Sequence, residues 1–265
     1  MKPIKVGLVG PSYQDRSLPF DAQRSINIYP VMDETSEGKE VKAMQGTPGL
    51  LAFATCGSGT IRGEFAAANG RAFVVSGTGF YEITSTGTAT LLGTLSTSTS
   101  FCSMDENGVQ LAVSDGTTLY ILTYATNAFA VVSDIDFPGA STVTFIDGYF
   151  AVGKPSSQKF YISSQYDGTA WDALDFASKE SSPDIIVRVY NAVGQLWLFG
   201  VKTTEVWYNS GASDFPFQRI NGAKIQVGCA AAHSVVGLDN SVFWLGADAK
   251  GKGIVYKANG FIPER

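Results

Sequence analysis

The stretch that decides the fold is Asp147-Gly148-Tyr149-Phe150-Ala151-Val152-Gly153. Asp-Gly readily takes the positive φ angles of a tight hairpin turn, and the aromatic, β-branched and small residues after it are typical of a strand. The same unit recurs at Asn69-Gly70 and Asn107-Gly108, and with weaker turn residues at Val193-Gly194 and Asp239-Asn240. The second residues of these dipeptides stand at 70, 108, 148, 194 and 240, at intervals of 38, 40, 46 and 46 residues. A repeat of this period predicts the blades of a β-propeller.

Each repeat contains a second strand directly after the turn and a third strand beyond a short loop. The sequence predicts second strands at 71–76, 109–114 and 149–153, and third strands at 79–83, 118–123, 159–163, 204–209 and 253–258. Each third strand carries one large aromatic residue: Tyr81, Tyr120, Tyr161, Trp207 and Tyr256. A repeated aromatic predicts packing between neighbouring blades and not five separate binding sites. Fourth strands are predicted at 88–92 and 128–132, whereas 171–176 and 215–220 are expected in longer loops.

The N-terminal segment differs from the repeats. Residues 1–50 contain five of the ten prolines and a charged stretch at 33–42, and their best strand is 26–29. We therefore expect an extended N-terminal arm over 1–50, lying along the propeller or reaching a neighbouring subunit, and blades over 51–265. Near residue 260 the pattern enters another turn, so the propeller is expected either to close with five blades or to be incomplete at its C-terminus.

Composition excludes several classes of protein. The chain has 265 residues, 45% of them hydrophobic and 16% charged, with a formal net charge of −5. This is enough apolar sequence for a large core, and it gives no cationic surface for tight DNA binding. No apolar run is long enough to span a bilayer and no full signal peptide is present, so we expect synthesis in a cytoplasm. Cys56, Cys102 and Cys229 are odd in number and widely spaced, which predicts buried, reduced thiols.

Some five-bladed propellers hydrolyse glycosides with paired carboxylates, so the acidic residues of this chain are candidates for catalysis. The candidates are Asp167, Asp172, Asp175 and Glu205, but aspartates in loops more often form turns, and no trio recurs at matching strand starts. His233 is the only histidine and lacks a serine in a nucleophile context, so a packed or surface role is expected. We predict no catalytic residue, and keep a carbohydrate-binding or carbohydrate-cleaving propeller as the alternative.

Two short segments superficially suggest ligand sites. Residues 7–12, Gly-Leu-Val-Gly-Pro-Ser, lack the third glycine of a dinucleotide fingerprint and the lysine of a P-loop. Residues 105–108, Asp-Glu-Asn-Gly, lack the spaced oxygen ligands of a calcium loop, and we expect a solvated hairpin tip there. No cofactor and no metal are predicted.

Three blocks of sequence carry a resemblance to a known family. The first combines Gln23-Arg24-Ser25-Ile26-Asn27-Ile28-Tyr29-Pro30 with Gly46-Thr47-Pro48-Gly49-Leu50. The second runs from Tyr166 to Phe176 and continues at Ser181-Ser182-Pro183-Asp184-Ile185-Ile186. The third includes Leu196-Trp197-Leu198-Phe199-Gly200, Thr204-Glu205-Val206-Trp207-Tyr208, Phe215-Pro216-Phe217 and Gly228-Cys229-Ala230-Ala231. In order and spacing these blocks resemble the tail-hub, or nozzle, proteins of short-tailed bacteriophages, also called packaged-DNA stabilisation proteins.

The resemblance implies a structural virion protein of the phage tail and not an enzyme. It implies a homo-hexameric ring below the portal and its head-to-tail adaptor, assembled in the host cytoplasm. Such a ring helps to retain packaged DNA, conducts the DNA during genome ejection without binding it tightly, and anchors tail fibres, spikes or a needle. No membrane insertion by this chain is expected.

Overall fold

The computed structural model describes residues 27–32, 42–180, 182, 184–247 and 253–265. Contacts divide the chain into two units, Met1–Ala52 and Phe53–Arg265. In the first unit, β1 (Ile28–Met32) pairs antiparallel with β2 (Lys42–Gly46). The strand predicted at 26–29 overlaps β1 at Ile28 and Tyr29. Most of the predicted extended arm, including the segment 7–12, lies outside the described residues, and its boundary at residue 50 stays a prediction.

The second unit is built from five four-stranded antiparallel sheets, which we number as blades 1 to 5. Blade 1 comprises β3 (Ile61–Ala66), β4 (Ala72–Ser76), β5 (Gly79–Ile83) and β6 (Ala89–Thr94). Blade 2 comprises β7 (Ser103–Glu106), β8 (Gln110–Ser114), β9 (Leu119–Thr123) and β10 (Ala128–Val131). Blade 3 comprises β11 (Val143–Ile146), β12 (Tyr149–Gly153), β13 (Lys159–Ser164) and β14 (Asp167–Ser178). Blade 4 comprises β15 (Ile186–Ala192), β16 (Gln195–Gly200), β17 (Thr204–Asn209) and β18 (Phe217–Ile225). Blade 5 comprises β19 (Val236–Leu238), β20 (Ser241–Ala247), β21 (Gly253–Asn259) and β22 (Ile262–Glu264).

The strands of each blade follow one another in chain order across the sheet. The first strands of successive blades contact each other, β3 with β7, β7 with β11 and β11 with β15, so they lie innermost around the axis. A short 3₁₀ turn, η1 (Ala232–Ser234), contacts β15 and β20. Within the described part of the chain, no helix is long and apolar enough to cross a membrane. The predicted all-β propeller with five blades is confirmed.

All five repeated turns contain a residue with a positive φ angle, but only three of them are the two-residue hairpin turns that the sequence predicted. Asp147-Gly148, Val193-Gly194 and Asp239-Asn240 are two-residue turns, with φ between 50° and 91° at all six positions. The prediction was wrong for Asn69-Gly70 and Asn107-Gly108, where only the glycine has positive φ. There the asparagine Oδ1 accepts a hydrogen bond from a backbone N–H two residues later, at 3.0 Å in both cases, and the loops are longer. In these two loops a hydrogen bond from the backbone to the asparagine side chain stabilises the turn.

The third strands match the prediction closely, and their aromatic residues pack between blades as expected. Tyr120 packs in the cluster between blades 1 and 2, Tyr161 between blades 2 and 3, Trp207 between blades 3 and 4, and Tyr256 between blades 4 and 5. Each of the four contacts the preceding blade. Tyr81 of blade 1 is the exception: it is partly exposed and lies beside Gly57, in the segment that precedes its own blade.

The fourth strands of blades 3 and 4 differ from the prediction. Residues 171–176 lie inside the twelve-residue strand β14, and most of 215–220 lies in the nine-residue strand β18. Both strands pair with their neighbours through register shifts, at Tyr161/Ser163 and Ser163/Ser164 for β14 and at Glu205/Trp207 for β18. Such bulges accommodate the extra polar residues that suggested loops.

Four apolar clusters join successive blades from the first to the fifth. No cluster of the described residues joins blade 5 to blade 1. The face of blade 5 turned away from blade 4 leaves apolar side chains in solvent: Leu238, Val255 and Ile262 are 66%, 61% and 68% exposed. Blade 5 therefore has one packed face and one unpaired face, on which Leu238, Val255 and Ile262 are exposed.

Candidate functional site in the axial channel

Two cavities lie side by side along the innermost strands. The first, of about 380 Å³, is lined by the start of blade 1, residues 101–104, Arg188 and His233. The second, of about 330 Å³, is lined mainly by β7, β11 and β15, including Asp105 and Asn191. Arg188 and Met104 line both. We call the two cavities together the axial channel. Arg62 lines the first cavity only, and the guanidinium of Arg188 lies at the boundary between the two.

Arg188 stands in the middle of the apolar strand β15 and is a residue that the sequence analysis did not single out. Its Nη1 lies 3.2 Å from His233 Nδ1, and its guanidinium carbon lies 5.5 Å from the centre of the Tyr190 ring. Its Nε is buried and has no hydrogen-bond partner among the described residues. Burial lowers the pKa of Arg188, although the group stays charged. In the sequence, Arg188 could have been identified as unusual because it is the one charged residue in the apolar run Ile186-Val187-Arg188-Val189.

His233 lies in η1 and contributes to the first cavity. Its ring is tilted against Phe101, with the ring centres 5.1 Å apart. Burial and the charge of Arg188 lower the pKa of His233 to about 4, so the imidazole is neutral at pH 7. The predicted packed or surface role fits this placement, and the described residues form no group of three or more histidine, cysteine, aspartate or glutamate side chains that could hold a metal.

The segment predicted as a solvated hairpin tip, 105–108, is solvated only at its end. Asp105 Oδ2 accepts hydrogen bonds from the Phe145 amide at 2.7 Å and from Thr144 Oγ1 at 2.9 Å, so it joins blade 2 to blade 3. Burial raises the pKa of Asp105. Glu106 accepts a hydrogen bond from the Ala68 amide in blade 1 at 2.5 Å. The prediction was wrong for these two acids because innermost strands place such residues between blades.

Three of the four candidate catalytic carboxylates have local hydrogen-bond partners. Asp167 Oδ1 accepts hydrogen bonds from Thr169 N at 2.9 Å and Thr169 Oγ1 at 2.7 Å, which forms a turn at the start of β14. Asp172 Oδ1 accepts one from the Leu174 amide at 2.8 Å. Burial and neighbouring acids raise the pKa of Asp175. Glu205 is fully buried on β17, 3.3 Å from Trp207 Nε1. Asp167 and Asp172 thus accept local backbone hydrogen bonds, and Glu205 is a buried side chain of blade 4.

The family-like blocks meet at a buried ion pair between blades 3 and 4. Lys179 is fully buried, and its Nζ pairs with Asp184 and donates to Thr203 Oγ1. Asp184 Oδ2 accepts hydrogen bonds from the amides of Lys202 at 2.6 Å and Thr203 at 3.1 Å. A Cβ on Gly200 would lie 2.5 Å from Oδ2 of Asp184, so only glycine leaves room for the carboxylate. Asp184 of the block at 181–186 and Gly200 of the block at 196–200 thus take part in the same contact.

A second contact between segments of the propeller requires glycine at position 228. A Cβ at this position would lie 2.2 Å from the carbonyl oxygen of Val201, closer than real Cβ contacts. The neighbouring Cys229 donates its backbone N–H to the Gly200 carbonyl at 2.9 Å. This hydrogen bond connects the end of β16 in blade 4 with the segment that leads into blade 5. Parts of the second and third blocks therefore lie where successive blades contact each other.

The three thiols are buried and free, as the sequence predicted. Burial raises the pKa of Cys102 to about 11 and raises that of Cys229.

Comparisons with solved structures show the fold alone. Two structures of the extracellular domain of BT4673 from B. thetaiotaomicron, titled as a putative one component system and a putative hybrid two component system, match with TM-scores of 0.51 and 0.53. Their sequence identities are 12% and 10%, over 79% of this chain and 28% of each of those chains. The tricorn protease matches at a TM-score of 0.45 and 14% identity, over 76% of this chain and 21% of that chain. This chain spans about a quarter of the length of each of these three structures. No curated protein matches it by sequence.

A family model settles the relationship that the sequence blocks suggested. The model covers residues 4–265, which include all three blocks and all five blades. The chain therefore belongs to the phage stabilisation family described as bacteriophage P22 Gp10, β-propeller, and is a structural protein of a phage tail.

Proposed function

We propose that this protein forms the hub, or nozzle, of the tail of a short-tailed phage, below the portal and its adaptor. Six copies form a ring that helps to retain packaged DNA, conducts the DNA during ejection, and anchors tail fibres, spikes or a needle. The protein has no enzymatic role in this proposal. The observation that carries it is the family match over residues 4–265.

The net negative charge of the chain supports a role as a passage for DNA. Each phosphate that a protein neutralises adds salt-dependent affinity, which would hold back a moving strand. The chain has a net charge of −5. A strand of DNA passing such a protein meets little that would bind it tightly.

The unpaired face of blade 5 supports contacts between subunits. Leu238, Val255 and Ile262 are each more than 60% exposed on this face, and exposed apolar side chains on a sheet face without a neighbouring blade are candidates for contact with another protein. We assign this face to the contact between neighbouring copies of the chain in the ring. A ring arises when such a contact joins different surfaces of successive copies and the rotation closes.

Native mass spectrometry tests the proposal, with the protein measured alone and mixed with the phage portal and adaptor. The expected result is a six-membered ring, formed alone or only with the adaptor. Val255→Asp should abolish the ring and leave a folded monomer, because it puts a charge into the apolar contact. Leu174→Asp is the matched control, since Leu174 is 80% exposed on β14, away from this face. A wild-type protein that stays monomeric and ignores the adaptor would contradict the proposal.

A further inference from the structure

Arg188 carries a charge that the described protein does not neutralise. No carboxylate oxygen of the described residues forms an ion pair with it, whereas Lys179 and Arg71 each have such a partner. Its hydrogen-bond neighbour is the neutral ring of His233, and the Tyr190 ring contributes only a cation–π contact. Removing a charge from water without a counter-charge is costly, so a partly buried guanidinium of this kind favours an anion beside it.

The nearby acids do not fill this role. Asp105 directs both oxygens elsewhere: Oδ2 accepts from Thr144 and Phe145, and Oδ1 accepts from the Glu106 amide at 2.9 Å. Glu64 lines the same cavity as Arg188, but its side chain is exposed and forms no ion pair with Arg188 in the described structure.

The cavity beside Arg188 provides polar donors and apolar walls. Since His233 Nδ1 accepts from Arg188, the ring hydrogen is on Nε2, where it is available as a donor. Ile61, Phe101 and Met104 supply apolar surface in the same cavity of about 380 Å³. A guanidinium binds a carboxylate with two parallel hydrogen bonds, and apolar walls favour a ligand with an apolar body.

We propose that this cavity binds an organic monocarboxylate with a small apolar body, held at its charged end by Arg188 and His233. The site is separate from the ring assembly and the passage of DNA that the proposed function describes. It would place a small ligand on the axis of the propeller, between blades 1, 2 and 4 and the turn η1.

Isothermal titration calorimetry with benzoate tests the site in the full chain, and benzamide serves as the neutral ligand of the same shape. Benzoate is expected to bind at least about tenfold more tightly than benzamide, because only the carboxylate pairs with the guanidinium. Equal affinities, or no heat of binding for benzoate at millimolar concentration, would overturn the proposal. Tighter binding of inorganic phosphate than of benzoate would overturn the assignment to carboxylates.

Three variants locate the ligand. Arg188→Gln should weaken benzoate binding at least about tenfold, whereas Arg219→Gln, at an exposed arginine on β18, should leave it unchanged. Glu64→Gln tests whether Glu64 is an internal counter-charge for Arg188. If only this variant binds benzoate, Glu64 itself neutralises Arg188 and the proposal fails. If Arg188→Gln does not fold, the His233 ring resonances of the wild-type protein give the answer. They should shift during a benzoate titration and not during a benzamide titration, and unchanged resonances would refute the site.

Discussion

Replacing Asp184 by asparagine should destabilise the protein far more than an equivalent change at a surface ion pair. Lys179 is 0% exposed and Asp184 is 8% exposed, so Asp184→Asn leaves a buried ammonium without its counter-charge. Breaking a buried ion pair from one side costs about 3–5 kcal/mol. Arg71 and Glu82 form the matched surface pair, with side chains 21% and 26% exposed, and Glu82→Gln should cost roughly 0.2–1 kcal/mol.

Urea denaturation followed by circular dichroism measures both free energies of unfolding. The double variant Lys179→Met with Asp184→Asn should be less destabilised than Asp184→Asn alone, because the unpaired ammonium is removed as well. If Asp184→Asn costs no more than Glu82→Gln, or if the double variant loses the sum of the two single losses, the buried pair does not hold blades 3 and 4 together as described.

The same pair gives a pH dependence. Burial opposes ionisation of Asp184, but the hydrogen bond from Lys179 and the amides of Lys202 and Thr203 outweigh it and lower the pKa. A lowered pKa in the folded state means that the stabilisation is present at neutral pH. It is lost as the pH falls below the unfolded value of about 3.9 and through the folded-state pKa. Wild type should therefore lose stability in this range more steeply than Asp184→Asn, and parallel acid profiles would contradict the assignment.

Two further predictions concern packing and the thiols. Gly228→Ala should cost several kcal/mol, roughly as overpacking of a core does, because its Cβ would lie 2.2 Å from the Val201 carbonyl oxygen; Gly253→Ala, where the nearest atom is 3.4 Å away, should be close to neutral by urea denaturation. Cys102 and Cys229 should react with a thiol reagent at pH 8 only after unfolding, since burial raises the pKa of both; rapid labelling of the native protein would contradict the burial of these thiols.

The sequence was informative where the backbone itself imposes a residue type. Turns such as Asp147-Gly148 and the strands beside them could be predicted because positive φ angles and period-two patterns select particular residues. The third-strand aromatics could be assigned to blade contacts because they recur. The long strand β14 could not, since its bulges admit aspartates that elsewhere mark loops.

The polar interior was predicted less well than the strands. Arg188 and Asp105 lie on innermost strands, where a side chain meets residues from another blade, and no local pattern reveals such a partner. The same holds for Lys179 and Asp184, which only the assembled blades 3 and 4 bring together. The family resemblance pointed to the stretch around Asp184 without indicating that its role is structural.

We propose that this propeller of a phage tail lies below the portal and adaptor. Cryo-electron microscopy of the purified virion tests it directly, by docking the unit Phe53–Arg265 into the tail density. The account predicts a sixfold ring of five-bladed units at the level immediately below the adaptor, with the exposed face of blade 5 against a neighbouring copy. Tail density at that level without such units, or the units found only outside the tail, would contradict it.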